Sequence, residues 1–181
     1  MPQGIILAAG TSSRAQTNKM LLRHHGLFLI EHAINGMAPF VSVIYVVTGH
    51  YHEEIKNVVG HYPKVKIVHN PDYNEGMFSS VLTGARACSD DFLLLPGDCP
   101  FVTSETYQSL LSGHQDIRVP SHDGRLGHPL FMNNKVRAKL IQEPLDGNLK
   151  VFRNRHGYAA IEVDDANIFI DIDTLEDFRK L

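Results

Sequence analysis

With 181 residues, 43% of them hydrophobic and 20% charged, the chain has the composition of one ordinary globular domain that can bury a continuous core, which excludes a disordered tract. A net charge of -3 without any Lys/Arg block excludes a nucleic-acid groove or an anionic membrane surface as the main partner, because both need a concentrated basic face. Two cysteines, Cys88 and Cys99, at neither a CxxC nor a zinc spacing, and an opening "MPQGIILAAG" without a basic, long-apolar leader, predict a cytoplasmic protein.

In chain order, five short apolar runs rich in β-branched residues read as strands: Gly4 to Ala9, Val41 to Thr48, Lys64 to His69, Phe92 to Leu95 and Ile117 to Pro120. Between them, amphipathic stretches predict helices at Phe28 to Met37, His52 to Val59, Met77 to Ala87 and Ser104 to Ser112. Strands apolar on both faces, alternating with helices, imply a three-layer α/β/α fold around a mostly parallel sheet. After Val119 the pattern changes. "VPSHDGRLGHPLFMNN" reads as a turn and a strand, Lys135 to Gln142 as a helix, Tyr158 to Val163 and Ile168 to Asp171 as strands, and "DTLEDFRKL" as a closing helix. Asp173, with Glu176 three positions on, resembles a capping box for that last helix. No repeat or long linker interrupts the chain, so 1–181 is expected to be a single domain.

Ligands of open parallel sheets sit beyond the carboxyl ends of the strands, where loop amides and helix N-termini converge. Three unusual loops fall there. The first, "AAGTSSRAQTNK", offers main-chain amides from Ala9 onward, small side chains and the cations Arg14 and Lys19, a chemistry that suits a polyphosphate. It is neither a Walker A loop nor GxGxxG, and a plain strand-to-helix turn with surface charges explains it equally well. In "DFLLLPGDCPFVT" a strand delivers Asp98 through a Pro-Gly bend, where a carboxylate can hold Mg²⁺ against phosphate oxygens or simply close a turn. In "NPDYNEGMFSSVLTGA", Gly76, Ser79 and Ser80 stand at a helix start, free to meet a nucleotide or to cap the helix. Cys99 reads as a packing residue, His50 and His52 as a turn and helix start, and His24 and His25 as surface groups pointing apart. Asp171 and Asp173 fall on one side of an extended strand, from which either could join Asp98 at a cation, although Asp173 has the competing capping role.

Taken in order, "LAAGTSSRAQTNKMLL", "NEGMFSSVLTGA", "LLLPGDCPFVT", "GRLGHPLF" and "DIDTLEDF" resemble the MobA/MocA-like nucleotidyltransferases over nearly the whole chain. The resemblance implies a nucleotide-diphosphate-sugar-transferase-like, Rossmann-like fold and Mg²⁺-dependent transfer of a nucleoside monophosphate from an NTP to a phosphorylated acceptor, with release of pyrophosphate. It assigns Leu7, Ala8, Ala9, Gly10 and Thr11 to base and phosphates, Arg14 and Lys19 to the triphosphate, and Asp98 and Asp173 to the metal. "GHP", with His128, is similar to the branch whose acceptor is molybdopterin and whose nucleotide is CTP, and His128 is thereby an expected acceptor-binding residue. Ala8-Ala9, where guanylyl-transferring members tend to carry Gly-Gly, leaves less room for a purine and points the same way.

Two departures stand out. Arg14-Ala15-Gln16 replaces the usual Arg-Met-Gly, and if the loop needs a left-handed residue at 16, Gln costs about 1 kcal/mol there. "DGNLKVFRNR" replaces the usual GDxGAR, with Lys150 in the place of its Arg. These departures keep two other readings open: a sugar- or alcohol-phosphate nucleotidyltransferase, and a non-catalytic nucleotide- or cofactor-binding chaperone with a molybdoenzyme client.

Overall fold

The computed structural model describes residues 1–11, 18–170, 172 and 175–179. Strands β1 (Gln3–Ala8), β4 (Ile44–Thr48), β5 (Val65–His69), β6 (Phe92–Pro96), β7 (Ile117–His122), β9 (Leu130–Met132) and β10 (Ala159–Glu162) form one sheet in the order β10-β7-β9-β6-β1-β4-β5, with the short β8 (Arg125–Leu126) paired to β7. β1 lies parallel between β4 and β6, while β9 runs antiparallel to both β6 and β7. A two-stranded hairpin, β2 (Arg23–His24) and β3 (Leu27–Phe28), stands apart from the sheet.

Seven helices are described: α1 (Leu29–Met37), α2 (His52–Val59), α3 (Met77–Ala87), α4 (Ser104–Ser112), α5 (Asn134–Leu140), α6 (Leu149–His156) and α7 (Leu175–Arg179). Successive side chains of a strand point to opposite faces, so β1 feeds two cores at once. Ile6 and Ala8 join Ile30, Ile34, Ile55, Val59, Tyr107 and Leu110 from α1, α2 and α4. Ile5 and Leu7 join Val81, Leu82, Val136, Leu140 and Phe152 from α3, α5 and α6. The molecule is thus the three-layer α/β/α sandwich that its alternating strands and helices predict.

Most elements fall within a residue or two of expectation, although β4 begins at Ile44, three residues later than expected; a few differ outright. The expected strand from Ile168 to Asp171 is instead a 3-10 turn over Ala166–Phe169, because the Asp165 carboxylate accepts the Asn167 amide at 3.0 Å and curls the backbone as an Asx turn. Helix α6 is absent from the expectation, yet Asn148 caps it by accepting the Val151 amide at 3.1 Å, and Phe152 is buried beneath it. His24 and His25, expected to point apart, meet edge to face at 4.1 Å, since His25 takes a left-handed φ of 47° in the hairpin turn.

Candidate active site

Strand order reverses at β1: the chain moves outward to β4 and β5, then returns to place β6 on β1's other side. That reversal opens a crevice between the loops after β1 and β6, where an open α/β sheet ordinarily takes its ligand. The Gly97 amide donates to the Leu7 carbonyl at 2.9 Å, extending the β1–β6 pairing into the bend. A Cβ on Gly97 would lie 3.0 Å from the same carbonyl and 2.9 Å from the Met20 sulfur, so the close approach of the two loops needs glycine there.

This bend turns Asp98 toward Lys19, and the Lys19 ammonium lies 2.7 Å from Asp98 Oδ2. Both side chains are largely covered, at 13% and 16% exposure, which leaves an ion pair at the mouth of the crevice rather than on the open surface. Two of the three expected catalytic residues are therefore in contact. Arg14, the third, lies outside the described residues, as do Gln16, Asp171 and Asp173. Ile172, immediately before Asp173, donates its amide to the Asp98 carbonyl at 3.2 Å.

Of the expected nucleotide cradle, Leu7, Ala8 and Ala9 are buried, while Gly10 and Thr11 are exposed at the loop's start. Two residues outside the expected set hold that start. Tyr51 donates its hydroxyl to the Thr11 carbonyl at 3.2 Å. Gly49, which follows β4, is so close to Ala9 that a Cβ would sit 2.5 Å from the Ala9 carbonyl oxygen and 2.7 Å from the Tyr73 Cβ. "TGHY" carried the signal for both, in the form of a glycine directly behind a buried strand.

Gly76, Ser79 and Ser80 stand at the β5 corner, three strands from Asp98. Gly76 is exposed and caps α3 with φ 104°, a conformation that favours glycine. Ser79 and Ser80 are buried, and both hydroxyls accept from the Asn70 amide group at 2.9 Å. The Ser79 hydroxyl also lies 2.8 Å from the Gly76 carbonyl, to which it can donate. The two serines thus hold the loop through Asn70, whose own side-chain oxygen accepts the Asp72 amide at 3.0 Å.

On the other flank, antiparallel β9 brings His128 to the same edge. Its amide donates to the Ile168 carbonyl at 3.1 Å, and its Nδ1 is buried without a partner among the described residues. Burial holds the imidazole below its ordinary pKa; the Asp98 carboxylate pulls the other way, and the Arg153 cation adds to the lowering. Arg153, on α6, packs its guanidinium 4.5 Å over the Tyr158 ring and so brings a positive charge to His128. Lys150, one turn earlier, is exposed. The cation reaching the site from this segment is thus one that the sequence does not single out.

No group of three His, Cys, Asp or Glu side chains among the described residues is arranged to hold a metal ion by itself. The His50 and His52 pair resolves as a turn residue and the first residue of α2, with His52 Nδ1 2.7 Å from the Thr48 hydroxyl. Among the described residues, no helix is long and apolar enough to cross a membrane.

The model of the MobA-like NTP transferase domain matches residues 4–160. The chain belongs to that family. As a member of the MobA-like family, it is 31% identical to the molybdenum cofactor cytidylyltransferase of Escherichia coli K12, covering 96% of this chain and 92% of that one. It is 29% identical to a probable molybdenum cofactor guanylyltransferase of Bacillus cereus G9842, covering 97% and 92% of the two chains. Solved structures share the fold. A nucleotidyl transferase from Methanothermobacter superposes with a TM-score of 0.85 at 21% identity, covering 99% of this chain and 95% of that one. Molybdopterin-guanine dinucleotide biosynthesis protein A from Archaeoglobus fulgidus superposes with a TM-score of 0.73 at 18% identity, covering 98% and 95%. The MobA-like NTP transferase domain therefore extends over both flanks of the crevice, from β1 into β10.

Proposed function

We propose that this MobA-like nucleotidyltransferase moves a nucleoside monophosphate from an NTP, with CTP favoured, to the phosphate of molybdopterin or the molybdenum cofactor, releasing pyrophosphate. The observation that carries this reading is the Lys19–Asp98 pair, held at the crevice where the strand order reverses. The choice of acceptor is supported by the names of the two molybdenum cofactor relatives and by His128 at the adjoining edge.

The acceptor phosphate oxygen attacks the α-phosphorus, forming one P–O bond as the bond to the pyrophosphate oxygen breaks. The acceptor is already ionised, so the protein supplies position and charge in place of a nucleophile. Lys19, with Arg14 from the same loop, takes the charge that builds on the leaving pyrophosphate. A carboxylate at the crevice suits Mg²⁺, which prefers one or two carboxylates with substrate phosphates to an all-protein cage; Asp98, with Asp173, would hold it, and it would neutralise phosphate charge. Gly76 faces the nucleotide from the β5 corner, while Ser79 and Ser80 shape that corner from beneath. His128 presents a neutral imidazole to the acceptor.

The test is pyrophosphate release by the purified protein with Mg²⁺, each NTP and molybdopterin. CTP is expected to support release about ten-fold faster than GTP, a difference of about 1.4 kcal/mol in transition-state binding. Equal turnover with CTP and GTP would remove the cytidylyl preference. Nucleotide binding without release for any acceptor would replace the transferase with a binding protein.

A further inference from the structure

Asp165 is 3% exposed, yet its carboxylate accepts four hydrogen bonds. Oδ2 takes the Thr103 amide at 2.9 Å, the Thr103 hydroxyl at 3.0 Å and the Thr106 hydroxyl at 2.7 Å. Oδ1 takes the Asn167 amide at 3.0 Å. The acceptor thus binds the start of α4 with one oxygen and curls its own segment with the other.

Capping a helix is the plain explanation for such a carboxylate, since negative charge at an N-terminus is stabilising. It does not suffice here. Thr103 occupies the N-cap of α4 and is a residue well suited to cap the helix itself, yet its hydroxyl makes no cap bond and turns to Asp165 instead. What Asp165 adds lies further along its own segment. Three residues on, the Ile168 carbonyl accepts the His128 amide; four beyond that, the Ile172 amide donates to the Asp98 carbonyl. Gly127 has no room for a side chain, because a Cβ would lie 2.5 Å from the Ile168 carbonyl oxygen. Ile168 and Ile172 are themselves buried, so the strap is packed down at both of its contact points.

We propose that Asp165 is a positioning residue for the acceptor side of the site: it anchors the start of its segment to α4, and through Ile168 and Ile172 that anchor fixes the main chains of His128 and Asp98. The link to catalysis rests on the transferase reading above; the mechanical link does not. Asp165→Asn is a sharp probe, because an amide has one accepting oxygen. Either the Thr103 amide or the Asn167 amide must then face an NH₂ group.

Two readouts separate the claims. In Asp165→Asn, amide hydrogen exchange at His128 and Ile172 is expected to rise about ten-fold relative to core amides such as Leu94. In pyrophosphate release, kcat is expected to fall about ten-fold while the nucleotide KM changes less than about two-fold, the signature of lost alignment rather than lost nucleotide binding. Unchanged exchange at both amides would overturn the proposal, as would raised exchange with parental kcat. If the parent releases no pyrophosphate with any acceptor, the transferase reading fails alone, and the exchange readout still decides the strap. Should Asp165→Asn not fold, Thr106→Val removes the shortest of the bonds and is expected to move the same two amides, with Thr106→Ser restoring them.

Discussion

Lys19 and Asp98 touch at 2.7 Å, yet one offers a cation and the other a carboxylate, so substitutions at the two positions should not behave alike. Asp98→Ala removes the carboxylate that meets Lys19 and is expected to abolish pyrophosphate release while leaving the thermal midpoint near the parent's. Lys19→Ala is expected to lower kcat by about 10² to 10³, the scale seen when one charge-stabilising group is removed, again with little loss of stability. Far-UV circular dichroism melts beside steady-state rates check both. Gly49→Ala should do the reverse. Its Cβ would meet main chain at Ala9 and the Tyr73 side chain, so a destabilisation of about 1–3 kcal/mol is expected in urea titrations. At this scale the site was partly legible. A lysine and a carboxylate in strand-end loops announce themselves by type, whereas Gly49, Tyr51 and Asp165 work through main-chain atoms far away in sequence and Asn70 through two buried hydroxyls.

Elements differ in how plainly their sequences declare them, and the reason is how much apolar face each must bury. Helices α2, α3 and α4 run over the expected residues because a regular apolar stripe fixes both ends. α6 buries a single large side chain, Phe152, and carries Lys150, Arg153 and Arg155 around it, so its periodicity is drowned by charge. The turn at Ala166–Phe169 was hidden because its cause, the Asp165 carboxylate, competes locally with an apolar run that otherwise reads as strand. α4 illustrates a different dependence. Its C-terminal carbonyls at Leu110 and Leu111, and Gly113 just beyond, all accept from Arg118 Nη1, while the guanidinium lies 3.4 Å over the Phe131 ring. Burial lowers the Arg118 pKa, with Asp91 and Asp116 opposing that shift. Arg118→Met keeps the stem and deletes the donors, leaving a helix end without its partners. A loss of about 2–4 kcal/mol is expected, read as a lower urea midpoint with an unchanged slope.

The whole molecule adds up the local charges in its acid stability. Burial alone would raise the Asp165 pKa, but the bonds from Thr103, Thr106 and Asn167 outweigh it and hold the carboxyl below its ordinary value. A carboxyl with a depressed folded-state pKa contributes stability above its unfolded pKa and loses it as pH falls through the folded one. Asp165→Asn is therefore expected to lower stability at pH 7 and to flatten its decline below about pH 4, measured as unfolding free energy across a pH series. The layer architecture was legible from alternating strands and helices. Strand order was not, because nothing local in "LFM" tells β9 to enter between β6 and β7 in the opposite direction.

That reversed strand has a consequence for how the chain can change length. His128 reaches the site's edge by counting back from Leu130, whose partner is Leu94, so its place is fixed from the carboxyl side of the segment. Upstream, Asp123 and Gly124 form a left-handed tip between β7 and β8, with open space around Gly124. Residues gained or lost at that tip alter only the reach of a hairpin. One residue gained or lost between His128 and Leu130 would leave Leu130 on Leu94 and Phe131 beneath Arg118, and would carry His128 off the crevice. Insertions and deletions are thus tolerated at 123–124 and forbidden at 128–130, two windows separated by three residues.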